Sequence, residues 1–128
     1  MTVFLTADQI LTIHDQQARE FGGLLGVRSE PGLLSAIGQP QQSAFGEDAY
    51  PSVADKAAAY GFFIAENQPF LDGNKRTAAD AMLTFLDLNG FEFDQTNDEI
   101  AEAFERLGDK SLDQAGFIAW VCGHARQR

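Results

Sequence analysis

From Ser52 to Asn67 the chain carries Ala and Phe around most of a helical circumference. A helix that is apolar on most sides has to be surrounded, so the fold must be a shell of other elements built around this one. Ser52 suits the N-cap, and Gln68-Pro69 ends the helix, because a residue before proline is pushed out of the α region.

The remaining segments read as that shell. Thr6 with Gln9 forms a capping box ahead of a helical stripe through Ile10, Leu11, Ile13, Gln17, Ala18 and Phe21, closed by Gly22-Gly23. Pro31 suits the first residue of a short helix over Leu33–Ile37, stopped by Gly38 and Pro40. Residues 39–51 read as a loop or an extended flap. Asn74 can cap a further helix that runs through Met82, Phe85, Leu86 and Leu88 to a stop at Asn89-Gly90. Phe91-Glu92-Phe93 alternates but is short for a strand. Thr96 with Glu99, and Ser111 with Gln114, open two more helices. The expectation is an all-α, compact single domain over residues 1–128, with about six helices and a flap loop at 43–51.

Charge narrows the function classes. The 128 residues include nineteen carboxylates against nine Lys and Arg, a formal net charge of -10. That balance argues against a broad basic face for nucleic acid or anionic lipid. Cys122 is the one cysteine, so no intrachain disulfide can form and a reducing compartment is expected. It follows the apolar run Phe117–Val121 and reads as a small core residue. No apolar run approaches the ~20 residues of a membrane-spanning helix, and nothing at the start resembles a signal peptide. A soluble, cytoplasmic protein is expected, with no membrane and no direct nucleic-acid partner.

One segment goes against this economy of cations. With Asn74 as the cap, Lys75 and Arg76 open a helix at the positive end of its macrodipole, where each cation should cost ~0.3–1 kcal/mol. Violations of local rules concentrate at functional sites, and the compensation expected here is an anion, phosphate above all, held by free N–H groups and both side chains. The plain alternative is a solvated helix tip with Asp72 neutralising the pair. Gly73 weighs against it, since glycine allows a sharp turn or close backbone approach to a ligand. Phe70 reads as a core anchor, and no Walker pattern is present.

The run Gln68-Pro69-Phe70-Leu71-Asp72-Gly73-Asn74-Lys75-Arg76 resembles the signature of the Fic/Doc family, and is closer to the Doc (death on curing) toxins than to the Fic adenylyltransferases. The stretch from Phe45 to Pro51, Lys56-Ala57-Ala58-Ala59 and Phe85 to Gly90 resemble Doc-like toxins in the same order. The resemblance implies a helical fold that transfers a phosphorus-containing group from ATP to a protein hydroxyl. The Fic motif reads His-x-Phe-x-Asp/Glu-Gly-Asn-Gly-Arg-x-x-Arg and moves AMP. Here Lys75 replaces the second glycine, as in Doc-like members, and Ala79 stands at the last arginine; the resemblance to that branch implies phosphoryl transfer and elongation factor Tu as target, with arrest of translation. Carried over, Asp72 would hold Mg²⁺, Gly73 and Asn74 would line the phosphates, and Lys75 and Arg76 would stabilise developing charge. Asp80, one turn past Arg76, reads as a further candidate or as a plain solvated carboxylate. Residues 43–51 match the flap that pairs with the target.

Gln68 departs from the pattern. The family has histidine there as general base, and glutamine has no usable pKa; losing such a base costs about 10²–10⁴-fold in rate. His14, mid-helix, and His124, near the tail, read as structural. Either the chain is a disabled homologue, or Gln68 is an introduced change that removed toxicity; a single base separates the codons, which favours the second. Ser43 to Glu47 is the nearest match to a self-inhibitory Fic helix and reads as chance, so a separate cognate antitoxin is expected. The readings weighed are a Doc-type toxin kinase, a catalytically inactive nucleotide- or antitoxin-binding module, and a Fic-type AMP transferase.

Overall fold

The structure is a computed structural model that describes residues 1–128. Six α-helices follow in order: α1 (Ala7–Phe21), α2 (Glu30–Gly38), α3 (Val53–Asn67), α4 (Asn74–Leu88), α5 (Asn97–Gly108) and α6 (Gln114–His124). Two small antiparallel ribbons accompany them: β1 (Ser43–Ala44) with β2 (Glu47–Asp48), and β3 (Phe91–Phe93) with β4 (Ala125–Gln127). The mostly α architecture is as expected, and no helix is long and apolar enough to cross a membrane.

The apolar helix α3 lies at the centre, packed most extensively against α4, then α6 and α2. Its Ala57, Ala58, Ala59, Tyr60 and Ile64 are fully buried, and α4 answers with Ala78, Ala81, Met82 and Phe85. Small side chains on α3 let α4 approach closely, while the aromatic rings fill the volume around that contact. Phe85 meets Tyr60, and Phe104 of α5 meets Phe117 of α6, at centroid separations of 5.0 and 5.2 Å. One apolar cluster thus runs from Leu5 to Val121.

Capping boxes form at Thr6–Gln9, Ser52–Asp55 and Thr96–Glu99. Other boundaries differ from expectation. Ser29 caps α2 early, and the chain keeps turning through Pro40 as a 3-10 turn, Gln39–Gln41, because a proline in a first turn lacks only an N–H that would be unpaired anyway. α6 is capped by Asp113, whose carboxylate accepts from the Gly116 N–H at 2.8 Å; Ser111 is drawn into a turn on Asp109. Phe91–Phe93 is a strand only because the chain end returns to pair with it, Phe91 opposite Gln127 and Phe93 opposite Ala125.

Two apolar expectations are corrected. Cys122 is exposed, because α6 turns Phe117 and Val121 inward and the next residue falls on its outer side. Phe21, the last residue of α1, is 52% exposed, since the buried face of that helix is Ile10, Ile13 and His14 and does not extend to its end.

The flap is a hairpin. Phe45 (φ 54°) and Gly46 (φ 79°) make its two-residue turn, both strands are exposed, and Ser43 to Glu47 is therefore not helical. Its base is fixed from the core side by Lys56 of α3, which is only 5% exposed. The Lys56 Nζ donates to the Asp48 carboxylate at 3.1 Å, to the Pro51 carbonyl at 3.2 Å and to the Tyr50 carbonyl. Three acceptors for three N–H groups satisfy a buried ammonium completely.

Candidate active site

The segment between α3 and α4 is held at every residue. Gln68 ends α3 in a left-handed conformation, φ 45° and ψ 58°, with its N–H donating to the Ile64 carbonyl. The chain before α2 then lies alongside. Arg28 and Ser29 donate their N–H groups to the Pro69 carbonyl at 2.7 and 3.0 Å, Leu71 donates to the Gly26 carbonyl at 3.1 Å, and Val27 faces Phe70 as an isolated bridge. The Arg28 guanidinium donates to the carbonyls of Gln68 (2.6 and 3.0 Å) and Asn67 (3.2 Å). It serves the carbonyl end of α3, where the macrodipole favours a cation.

Asn74 does not cap α4. Its side chain turns back, Nδ2 donating to the Phe70 carbonyl at 3.1 Å and Oδ1 accepting from the Phe70 N–H at 2.9 Å. The N-cap is Gly73, in the left-handed region at φ 72°, and no side chain caps the helix. The other five helices each have a capping Thr, Ser or Asp. The N–H groups of Asn74, Lys75 and Arg76 therefore find no acceptor within the chain, and the positive end of α4 is open.

His14 supports this turn from below. It is 3% exposed, its ring lies 3.9 Å from that of Phe70 at an interplanar angle of 7°, and its Nε2 is 2.8 Å from the Asp72 carbonyl. A carbonyl can only accept, so Nε2 carries the proton there. Asp72 is exposed; its Oδ1 accepts from the Gly73 N–H at 2.9 Å, leaving Oδ2 free of hydrogen bonds within the chain. The chain after α1 presses against that carboxylate. A Cβ on Gly23, at φ 109°, would stand 2.8 Å from Asp72 Oδ2.

The two cations read as a pair diverge. Lys75 reaches toward α5, with Nζ 3.2 Å from Glu105, an exposed ion pair. Arg76 turns the other way, its guanidinium 4.5 Å above the ring of Phe21, and takes part in no ion pair. Arg76, Asp72, Gly73 and His14 share a shallow recess with Gln17, Gly22 and Leu24. Asp80 accepts from the Gln17 Nε2 at 3.0 Å. Gln68 is exposed beside the loop and its side chain makes no hydrogen bond within the chain. A larger cleft, about 250 Å³, is lined by another part of the His14 surroundings, among Asp8, Thr12, Asp15, Val27 and Phe70; Arg76 and Asp72 line the smaller recess only.

Sequence reasoning singled out the loop and missed its supports. His14 occupied a position of the buried α1 face, and a histidine there needs a partner; Arg28 and Phe21 carried no local signal, because both act across the fold. Cys122, exposed on α6, donates to the Asp55 Oδ1 at 3.2 Å. Partial desolvation, with the Asp55 carboxylate second, pushes its thiol up to about 11, so it stays protonated and is no nucleophile near neutrality.

Residues 4–86, from the segment before α1 through most of α4, match the model of the Fic/DOC family. The chain belongs to the Fic/Doc family. It is 39% identical over 128 aligned positions to the Toxin Doc of Mycolicibacterium smegmatis, covering 93% of this chain and 96% of that protein. It is 31% identical over 88 positions to the Protein kinase doc of Escherichia phage P1, covering 69% of each. The match to this Fic/Doc model includes residues 68–76, the loop that opens on Gln68.

Proposed function

We propose that this Fic/Doc protein is the toxin of a toxin–antitoxin pair, a cytoplasmic protein kinase that transfers a phosphoryl group from ATP to a hydroxyl of a translation factor, elongation factor Tu. The observation that carries the reading is the uncapped N-terminus of α4, where three free N–H groups meet an arginine that has no carboxylate partner. Such an end binds phosphate oxygens, and a planar guanidinium adds paired in-plane donors. The names of the two relatives, a toxin and a protein kinase, point the same way.

The donor set suits Mg²⁺ in one manner only. No three His, Cys, Asp or Glu side chains converge anywhere in the chain, so the protein alone does not build a cage. Asp72 offers a single exposed carboxylate with Oδ2 free, which is how Mg²⁺ is held when phosphates and waters supply the other oxygens. Asp72 would hold the ion, which when bound would supply positive charge against that of the phosphates. In the reaction proposed, the target hydroxyl oxygen bonds to the γ-phosphorus as the phosphorus bond to the β,γ-bridging oxygen breaks and ADP leaves; the hydroxyl proton would pass to an imidazole at position 68 in the Gln68→His chain, a role that Gln68 does not fill. Gly73 and the N–H groups of Asn74, Lys75 and Arg76 would cradle the phosphates, and the Arg76 and Lys75 side chains would stabilise developing charge. Lys75 has first to leave Glu105, an exposed pair that costs little to break. The outer edges of the flap hairpin would pair with an extended stretch of target.

Gln68 supports a second reading, in which the chain as it stands captures nucleotide or antitoxin without turnover. His14 does not stand in for the base, since it is buried and holds its Nε2 proton on the Asp72 carbonyl. One experiment separates the readings. The Gln68→His chain is incubated with elongation factor Tu and ATP labelled at the α- or the γ-phosphate. Label from γ alone is expected, about 10²–10⁴-fold above the Gln68 chain. Label from α alone makes it an AMP transferase, and neither label, with no effect on growth, leaves the binding module.

A further inference from the structure

The guanidinium of Arg76 needs a support that the family loop does not contain. It sits on an exposed corner, third in α4, at a helix end whose dipole opposes it. Nineteen carboxylates are distributed over the chain, yet it pairs with none. Asp80, one turn on, accepts from Gln17, and Asp72, which lines the same recess, turns Oδ1 onto the Gly73 N–H and forms no ion pair with Arg76 through its free Oδ2. What Arg76 touches is a ring face: its Cζ lies 4.5 Å above the centroid of Phe21. Phe21 is an apolar residue left 52% exposed at the end of α1, where core packing gives it no purpose.

The chemistry of the two contacts is complementary. A guanidinium stacked on a ring uses its flat face, whereas hydrogen bonds to phosphate oxygens use its edge. A carboxylate partner would consume the edge donors that an anion needs; an aromatic ring holds the group in place and leaves them free. We propose that Phe21 is a positioning residue that holds the Arg76 guanidinium face-on, with its edge donors available for the phosphates of a nucleotide. This rests on the reading of the α4 N-terminus as a phosphate site.

Titration of Mg·ATP into the chain as it stands tests this without requiring turnover. Phe21→Leu keeps an apolar side chain but removes the ring, and should weaken binding about three- to fivefold, the range of a partly exposed cation–π contact. Phe21→Tyr should restore it. Added to Arg76→Ala, Phe21→Leu should cost nothing more, because the ring acts through that arginine alone. Parent-like affinity in Phe21→Leu, or an equal loss with and without Arg76, overturns the proposal and leaves the phosphate reading intact. A parent chain that takes up no Mg·ATP overturns both. A further measurement needs no nucleotide. The ring current of Phe21 should shift the Arg76 Hε resonance of the free protein upfield, and Phe21→Leu should abolish that shift; a resonance that does not move overturns the stacking itself.

Discussion

His14 and Phe70 lie ring on ring, 3.9 Å apart and within 7° of parallel, with the His14 Nε2 proton directed at the Asp72 carbonyl 2.8 Å away. A buried side chain of the first helix thus fixes both the apolar anchor and the acidic residue of a loop almost sixty positions later. The loop is shaped from outside itself.

That relationship predicts separable losses. His14→Phe keeps the stack and removes the hydrogen bond, and should lower stability by about 1–2 kcal/mol, leaving the Asp72 carbonyl unpaired. His14→Ala also opens a cavity and should cost about 2–4 kcal/mol. Urea unfolding gives the totals. Amide exchange at Leu71–Gly73 should accelerate in both variants by more than exchange at the centre of α3.

Gly23 and Gly73 should fail for different reasons when replaced by alanine. Around Gly73 the nearest atom to an added Cβ is His14 Nε2 at 3.9 Å, so only the left-handed backbone at φ 72° is penalised, about 1–2 kcal/mol. At Gly23 the same penalty is joined by a 2.8 Å clash with Asp72 Oδ2. Gly23→Ala should therefore displace that carboxylate and weaken Mg²⁺-dependent nucleotide binding more than phosphate binding without metal. Calorimetry with and without the ion checks this.

Lys56 links the flap to the core, and the two partners of its ion pair are unequally buried, at 6% and 55% side-chain exposure. Lys56→Met removes the donor for three oxygens and should cost about 1–3 kcal/mol. Asp48→Asn leaves two carbonyl acceptors in place and should cost under about 1 kcal/mol. Both should speed amide exchange in residues 43–49, and the lysine variant should do so far more.

Alkali should destabilise the chain in two overlapping steps. Burial pushes the Tyr60 hydroxyl up to about 12 against an ordinary 10.0, although the Leu5 N–H it accepts works the other way. Desolvation, then Asp55, pushes Cys122 to about 11 against 9.0. Both groups hold their protons more tightly when folded, so the stability they contribute is complete below the unfolded values and is lost as pH rises through the folded ones. Stability should fall from about pH 9 to 12, and Cys122→Ser should remove the earlier part of the fall. At pH 8 iodoacetamide should modify Cys122 on the order of a hundredfold more slowly than an unperturbed thiol, and Asp55→Asn should raise that rate.

Local rules carried much of the architecture. Capping residues, apolar periodicity and proline positions depend on neighbours within a few residues, so six helices and a central α3 were legible in the linear chain. The same logic failed where a distant segment overrode it. Asn74 has a good capping side chain, but Phe70 offered that side chain a better geometry, and Gly73 took the cap. Phe91–Phe93 became a strand only when the chain end arrived to pair with it. Cys122 shared an apolar run with Phe117 and Val121 and still faced outward, because burial follows helical angle rather than average hydropathy.

The sequence by itself determined where the chemistry could lie. An acidic chain that places Lys75 and Arg76 at a helix start has put two of its scarce cations against a dipole, and that conflict can be read without coordinates. Which cation is left without a carboxylate was decided only by the fold. Lys75 goes to Glu105 on α5 and Arg76 to Phe21 on α1, because consecutive residues on a helix point about 100° apart and different neighbours stand on each side. The supports, His14, Arg28 and Phe21, were hidden for the same reason: each is remote from the loop in sequence, and it is packing that brings them to it.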